Sequence, residues 1–350
     1  MTPAGIPEPR VAEDGRILGA TPPVAVVMPV LNERRHLRTA VEAILAQDYP
    51  GELEIVLALG PSTDGTDEVA AALADGDPRI RTVPNPTGAT PAGLNAAIGA
   101  STAPVVVRVD GHAILPPDYV RTAVEVLTST GADNVGGIMA AQGVTPFEQA
   151  VARAYSSWFG IGGARFHLGG EAGPAETVYL GVFRRDMLER VGGFDEHMRR
   201  AQDWELNYRI RRAGGVVWFT PKMQVTYRPR ADLRALSKQF FRTGQWRREV
   251  IRRHPDTANA RYLAAPVAVL GVVGGTALAL TGHRIGLLGP LGYLAAVVAG
   301  SAATSRGLPP TAAAALPAVY ATMHMSWGMG YLLSPRDLAP DPGPDPGPGR

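Results

Sequence analysis

Four short strand-like runs, over residues 24–30, 53–59, 80–83 and 104–109, limit what this chain can fold into. The first, Val24-Ala-Val-Val-Met-Pro-Val30, is apolar throughout, as suits a strand covered on both faces. Helical stretches separate the runs. One carries Leu37, Val41, Ile44 and Leu45 at helical spacing, and another spans 92–100. Ser62 to Glu68 is a turn that opens a helix with acidic residues in its first turn. Strands alternating with helices predict an α/β fold with a doubly wound, mostly parallel sheet. Ligands of such sheets gather at the carboxyl ends of the strands. Asn32, Gly60 and Asp110 all fall there.

Downstream, the pattern predicts a helix over 116–130 and strands over 134–139 and 178–183. Gly192-Gly193-Phe194-Asp195 reads as a turn before a helix carrying Asp203. Residues 216–219 and 224–227 read as two closing strands. The stretch 159–175 is Gly-rich and aperiodic, which predicts a mobile loop over the site.

Two motifs carry chemistry. Val109-Asp110-Gly111-His112 ends a buried strand with an oxygen ligand and a nitrogen ligand, a seat for one divalent metal. Gln202-Asp203-Trp204-Glu205 places a carboxylate where an acceptor hydroxyl can lose its proton. A metal-held leaving group on one side and a carboxylate base on the other suit a nucleotide-sugar transferase. The competing readings are a polar strand end for His112 and a helix-dipole acid for Asp203. Glu205, two residues on, points elsewhere and reads as half of a structural salt bridge.

The last third of the chain changes character. Residues 264–281 and 285–304 carry no acid, Lys or Arg at their centres, and 312–333 is interrupted only by His324. About twenty apolar residues of helix span the hydrocarbon thickness, so all three read as membrane helices, over about 262–282, 285–304 and 311–333. Before them, Arg247, Arg248, Arg252 and Arg253 cluster in a basic, interfacial segment over 231–261. That cluster favours a cytoplasmic face. The net charge of the whole chain is only +2. With no cysteine, disulfides and thiolate metal sites are excluded. The expected organisation is a flexible segment over 1–23 without signal-peptide character, a catalytic domain over 24–230, the basic segment, the membrane helices, and a disordered tail over 335–350.

Taken in order, Pro29-Val-Leu-Asn-Glu33, Ser62-Thr-Asp-Gly-Thr66, Gly93-Leu-Asn-Ala-Ala97, Val109-Asp-Gly-His112, Gly192-Gly-Phe-Asp195 and Gln202-Asp-Trp-Glu205 resemble a family 2 glycosyltransferase with a GT-A fold. With its basic segment and apolar helices, the chain is similar to the succinoglycan-type glycosyltransferases of bacterial polysaccharide assembly. The resemblance implies a nucleotide-diphospho-sugar donor (a UDP-sugar by family precedent), Mn2+ or Mg2+, inversion at the anomeric carbon, and no nucleic acid partner. It implies a lipid-linked saccharide as acceptor and an inner-membrane site with the catalytic domain facing the cytoplasm. It makes Asp203 the catalytic base, and Pro29, Asn32, Glu33, Gly60, Asn95 and Asp110 the donor-binding residues. Asp110 and His112 become the metal ligands, with His112 where a second carboxylate usually stands. Leu59-Gly60-Pro61 replaces the acid that usually holds a uracil edge. Gln202, Arg228, Arg230, Gln239, Arg242 and Trp246 are candidates for the diphosphate or the acceptor, the last three at i, i+3 and i+7 on one helix face. The alternatives are a polyprenyl-phosphate sugar synthase and a decayed membrane sensor of sugar nucleotides.

Overall fold

The computed structural model describes residue 19 and residues 21–338. The flexible segment and the disordered tail expected from the sequence lie mostly outside these residues. The chain runs β1 (Val24–Val30), α1 (Leu37–Leu45), β2 (Leu53–Leu59), α2 (Thr66–Gly76), β3 (Ile80–Pro84), α3 (Thr90–Gly99), β4 (Val105–Arg108), α4 (Tyr119–Thr130) and β5 (Asn134–Ala141). Next come α5 (Pro146–Tyr155) and two single turns, α6 (Trp158–Ile161) and α7 (Arg165–Leu168). They lead to β6 (Gly173–Pro174), β7 (Tyr179–Arg184), α8 (Arg185–Arg190), α9 (Gln202–Arg212) and β8 (Val217–Tyr227). Four long helices follow: α10 (Leu233–Arg253), α11 (Ala264–Leu280), α12 (Leu288–Thr304) and α13 (Pro310–Leu332). These elements form two compact units. A sheet unit takes the residues up to Ala140 together with Gly169–Thr226, and a helical unit takes Ala141–Leu168 and the residues from Tyr227 on. Residues 141–168 therefore do not group with the rest of the stretch 24–230, because α5 packs on α13.

In the sheet unit the strand order is β3-β2-β1-β4-β7-β5-β8-β6. β3, β2, β1 and β4 are mutually parallel. β7 then runs antiparallel to both β4 and β5, giving a mixed sheet. Successive residues of β1 alternate between two cores. Val26 and Met28 join α1, α2 and α4 on one face, while Val27 meets α3, α8 and α9 on the other. That double burial is why β1 is apolar without interruption. The two expected closing strands are one, β8, which passes straight through Pro221. Its neighbour β6 pairs only at Trp218 and Phe219. Past that point β8 is an edge, where proline is tolerated.

The expected mobile loop over 159–175 is also corrected. Its first part forms α6 and α7, and Phe159 stands edge-on to Tyr320 and His324 of α13 in the helical unit. Among the described residues two helices are long and apolar enough to cross a membrane, Ala260–Leu280 and Arg284–Thr304, and only 11% and 17% of their apolar windows are buried. α11 and α12 touch backbone to backbone. A Cβ on Gly289 would collide with the Gly271 carbonyl, and one on Gly286 with the Gly275 carbonyl, an approach that small residues permit. The third apolar stretch, α13, does not qualify as such a helix. It serves as the core of its unit, with Leu316, Val319, Tyr320 and Met323 fully buried. Ser326 bonds Ser237 of α10 at 2.9 Å, and Gly330 lies against the Phe241 backbone.

Leu180 of β7 adopts φ 45°. Its carbonyl accepts the buried Tyr119 hydroxyl at 2.7 Å. Tyr119→Phe removes that buried hydrogen bond, so it should cost about 0.5–1.5 kcal/mol, read as a lower denaturation midpoint of the purified chain with an unchanged slope.

Candidate functional site

Arg108 ends β4, and its side chain is only 6% exposed. A guanidinium does not lose its proton in a protein, so a buried one must be paired. Its Nη2 donates to Asp110 Oδ1 at 2.8 Å, and its Nη1 donates to Asp203 Oδ2. One cation thus joins the end of a central strand to the first turn of α9. The two carboxylates outweigh the effect of burial and hold Arg108 above its ordinary pKa. Asp203 is perturbed upward: burial raises its pKa, Arg108 pulls it back, and Asp110 adds to the rise. Its second oxygen, Oδ1, is buried without a hydrogen-bond partner among the described residues. The residue before this helix, Ala201, sits at φ 59°, a left-handed conformation that costs a non-glycine residue about 1–3 kcal/mol. Glu205, one turn inward, pairs with Arg209 through two 2.7 Å bonds, the structural salt bridge that its position suggests.

A second pair lies beside the β4 end. His112 Nδ1 and Glu33 Oε1 are 2.8 Å apart. A Cβ on Gly111 would come within 2.9 Å of Glu33 Cγ, so the glycine lets these two loops close. Glu33 is held from its own side as well, its N–H donating to Thr66 Oγ1 at 2.8 Å. Asn32, at φ 56°, locks the β1 loop to the next one: its Oδ1 accepts from the Thr63 N–H at 2.9 Å. Asp64 Oδ1 accepts from the Thr66 N–H at the start of α2, and hydrogen bonds led by the Thr66 hydroxyl keep its pKa below the ordinary value. Gly60 donates to the Val30 carbonyl at 2.8 Å, with Leu31 and Gly88 close against it. Pro29 packs beside Gly93 of α3.

Asn95 works differently from its expected part. Its Nδ2 donates to the Phe194 carbonyl at 2.8 Å and its Oδ1 accepts from the Phe194 N–H at 2.9 Å. It clamps the Gly192-Gly193-Phe194 turn that leads toward α9, and its amide is committed to that task.

The structure brings Asp110 and Asp203 to one arginine, and Glu33 to His112. The candidates Arg228, Arg230, Gln239, Arg242 and Trp246 belong to the helical unit. There Arg228 pairs with the buried Glu148 at 3.2 Å, and Arg230 donates to Gln239 at 3.2 Å. Gln239 in turn donates to the Tyr227 hydroxyl. Trp246 is 6% exposed, inside the unit's core, whereas Arg242 is exposed. Gln202 is the first residue of α9.

The donor set fits a divalent ion held by few protein ligands. Among the described residues no group of three His, Cys, Asp or Glu is placed to hold a metal. Asp110 offers a carboxylate, and His112 an imidazole whose Nδ1 is already engaged by Glu33. A carboxylate on the far ring nitrogen is the arrangement that orients metal-binding histidines. Such an ion would complete its shell from phosphate oxygens and water, as ions at diphosphate sites commonly do. Sequence reasoning missed Arg108. Its one signal was a charge inside the apolar run 105–109.

Residues 25–192 match the model of glycosyl transferase family 2. The chain is 33% identical over 311 residues to the succinoglycan biosynthesis protein ExoA of Rhizobium meliloti, covering 87% of this chain and 93% of that one. A Methanococcus voltae protein named as a dolichyl N-acetyl-α-D-glucosaminyl phosphate 3-β-D-2,3-diacetamido-2,3-dideoxy-β-D-glucuronosyltransferase is 23% identical, over 66% of this chain and 74% of its own. Among solved structures, the mannosyltransferase PcManGT of Pyrobaculum calidifontis, in complex with GDP-Man and Mn2+, has a similar fold. Its TM-score is 0.59 at 22% identity, covering 90% of this chain and 88% of that one.

Removing one partner of a buried ion network leaves the others uncompensated, which typically costs about 3–5 kcal/mol. Arg108→Met should lose stability of that order at pH 8. The loss should shrink as the pH falls, because protonation of Asp203 removes an orphaned charge. Denaturant titrations of both proteins at pH 8 and pH 5 measure the difference, and a loss independent of pH would separate Arg108 from the two carboxylates.

Proposed function

The chain belongs to glycosyltransferase family 2 and is a glycosyltransferase, and we propose that it transfers a sugar, with inversion, from a nucleotide-diphospho-sugar to a hydroxyl of a lipid-linked saccharide in polysaccharide assembly. The observation that carries this reading is Asp203, with one oxygen on Arg108 and the other buried and unsatisfied. A carboxylate held in that way suits the removal of a proton from an attacking hydroxyl. Removal is needed only as the new bond forms, so a weak base suffices when it is positioned.

Asp203 Oδ1 receives the acceptor proton, while Arg108 fixes Oδ2 and keeps the carboxylate ionised. Pro29, Asn32, Glu33, Gly60 and Asp110 line the donor end of the sheet, and Asn95 contributes through the turn that it clamps. Asp110 and His112 would hold a divalent ion, Mn2+ or Mg2+, which when bound supplies positive charge for the departing nucleotide diphosphate. The donor is a UDP-sugar by family precedent, with backbone groups at Leu59-Gly60-Pro61 meeting the base edge in place of a side-chain acid. Arg228, Arg230, Gln239 and Trp246 are committed within the helical unit, which leaves Gln202 at the head of α9 as the sheet unit's remaining candidate for the diphosphate or the acceptor.

The lipid-linked acceptor is supported by the two apolar helices and by the dolichyl-phosphate sugar in the name of the Methanococcus voltae relative. We place the protein at the cell membrane, its catalytic unit on the cytoplasmic side, where the basic residues of α10 meet anionic lipid. A polyprenyl-phosphate sugar synthase would use a phosphate as acceptor, which needs no base. The unsatisfied Asp203 oxygen favours a hydroxyl.

Asp203→Asn should lower turnover by roughly a hundred- to ten-thousand-fold and leave donor affinity, measured by calorimetry, nearly unchanged. Wild-type turnover in a folded variant rejects the base assignment. Because the base must be ionised and its pKa is raised, the acidic limb of the kcat/KM profile should lie above the ordinary carboxylate range. Asp110→Ala should weaken binding of both donor and metal. His112→Asp should shift metal affinity toward Mg2+, since carboxylate oxygen suits the harder ion. An unchanged ratio of Mn2+ to Mg2+ affinity, read by calorimetry without turnover, removes His112 from the metal site. A binding panel of UDP- and GDP-sugars identifies the base.

A further inference from the structure

The helical unit holds a basic cavity that the proposed transfer chemistry does not use. It has a volume of about 640 Å³ and is lined by Arg248, Ile251, Arg252, Tyr331 and Arg336. Three arginines line it and, among the described residues, no carboxylate does. Two of them are fixed in place. Arg248 Nη1 donates to the Tyr331 carbonyl at 3.1 Å, and its guanidinium lies 5.4 Å from the Tyr331 ring centre. Arg252 Nη2 donates to the Ser334 carbonyl at 2.6 Å, and its Nη1 to the Ser334 hydroxyl at 3.1 Å. Arg252 also pairs with Glu249 at 3.1 Å, which offsets part of its charge. Arg336 is exposed on the segment after α13. Guanidinium groups anchored by the end of a helix lose little freedom when they bind an anion.

The surroundings set the depth of this cavity. The C-terminal end of α13 lies beside the start of α11, where a Cβ on Gly328 would come within 2.5 Å of the Ala265 carbonyl. At that end Tyr262 stacks on Trp327 with ring centres 6.4 Å apart, and Trp327 on Tyr331 at 5.5 Å. Arg247 and Arg261 lie over the Tyr262 ring at 4.7 and 4.9 Å. Tyrosine, tryptophan and arginine grouped at the end of an apolar helix mark the headgroup level of a bilayer. The cavity shares Tyr331 with this belt, so its arginines stand at the depth of lipid phosphates.

We propose that Arg248, Arg252 and Arg336 form a seat for the phosphate of an anionic phospholipid headgroup. The seat would fix the helical unit at one depth in the leaflet. A guanidinium fork matches phosphate oxygens, and Ile251 and Tyr331 offer apolar contact to the glycerol portion.

The proposal rests on the membrane reading of α11 and α12, which alkaline washing of membranes tests separately. Release of the chain by that wash removes the membrane reading itself. The seat is tested on the full chain in neutral detergent, with phosphatidylglycerol or phosphatidylcholine added. Native mass spectrometry counts retained lipid, and thermal unfolding measures stabilisation. Wild type should retain phosphatidylglycerol and be stabilised by it more than by phosphatidylcholine. Arg336→Gln should weaken that binding by about fivefold, the worth of one cation near an anionic surface. Arg248→Gln with Arg336→Gln should weaken it by roughly the square of that factor. Arg336→Gln removes no bond among the described residues, so its unfolding temperature without lipid should match wild type, and it keeps the test valid if the double variant is unstable. Arg234→Gln removes the same charge from the exposed start of α10 and should leave the preference intact. Equal weakening by Arg234→Gln would mean diffuse attraction and overturn the seat. Equal stabilisation by inorganic phosphate would make it a soluble-anion site, and tighter retention of a polyprenyl diphosphate would make it an acceptor site. Either result overturns the phospholipid assignment.

Discussion

One buried arginine organises the candidate site of this protein. Arg108 carries a permanent charge at the end of a strand otherwise built of valine, and burial makes that charge costly unless it is paired. The pairing selects where α9 can sit, because Asp203 must reach the guanidinium, and it holds the loop after β4, because Asp110 must reach it too. Ala201 is held in the left-handed region at the head of α9, and strain of that kind persists only where the surroundings over-determine the backbone. Arg108 supplies one restraint, and the turn clamped by Asn95 supplies another. The result is a carboxylate whose position is set by charge rather than by loop shape.

Around that centre the work divides between side chains that act and side chains that position. Asn32 and Asn95 both carry amides that suit donor recognition, yet both are occupied with backbone groups of neighbouring loops. Glu33 faces His112 and not open solution alone. The site is therefore a set of β-strand ends stitched to one another, and its few uncommitted polar atoms stand out against that background. Asp203 Oδ1 is the clearest of them.

Much of the sheet was legible in the sequence because the physics there is local. The runs 24–30 and 53–59 became strands at the expected limits, and the helices between them presented the expected apolar residues. The acid on α9 and the Asp-Gly-His motif were legible as residue types in a familiar order. What escaped the sequence was everything set by long-range partners. Arg108 reads as an anomaly in a strand until Asp203, 95 positions away, is placed beside it. Pro221 reads as a break between two strands, and only the shortness of β6 explains why one strand passes through it. The third apolar stretch reads like the two before it in composition. Its assignment turned on α5 and α10, whose packing against it no periodicity in the stretch itself could reveal. The Gly-rich segment from Phe159 likewise looked unstructured until Tyr320 and His324 supplied its contacts.

The division of the chain into two units has a consequence for how the protein is made. Helix α5 emerges early, between strands of the sheet unit, but several of its partners come at the end of the chain. Arg153 donates to the carbonyls of Thr304 and Arg306, and Ser157 bonds the hydroxyl of Tyr320. The sheet unit can close once β8 has been synthesised, whereas residues 141–168 must wait with Phe159 uncovered until Tyr320 and His324 of α13 leave the ribosome. Contacts so distant in sequence form late and leave apolar surface exposed in the meantime. A chain stopped before α13 would carry that surface permanently, so cutting away the apolar C-terminal third does not yield a smaller complete protein but an arrested folding intermediate.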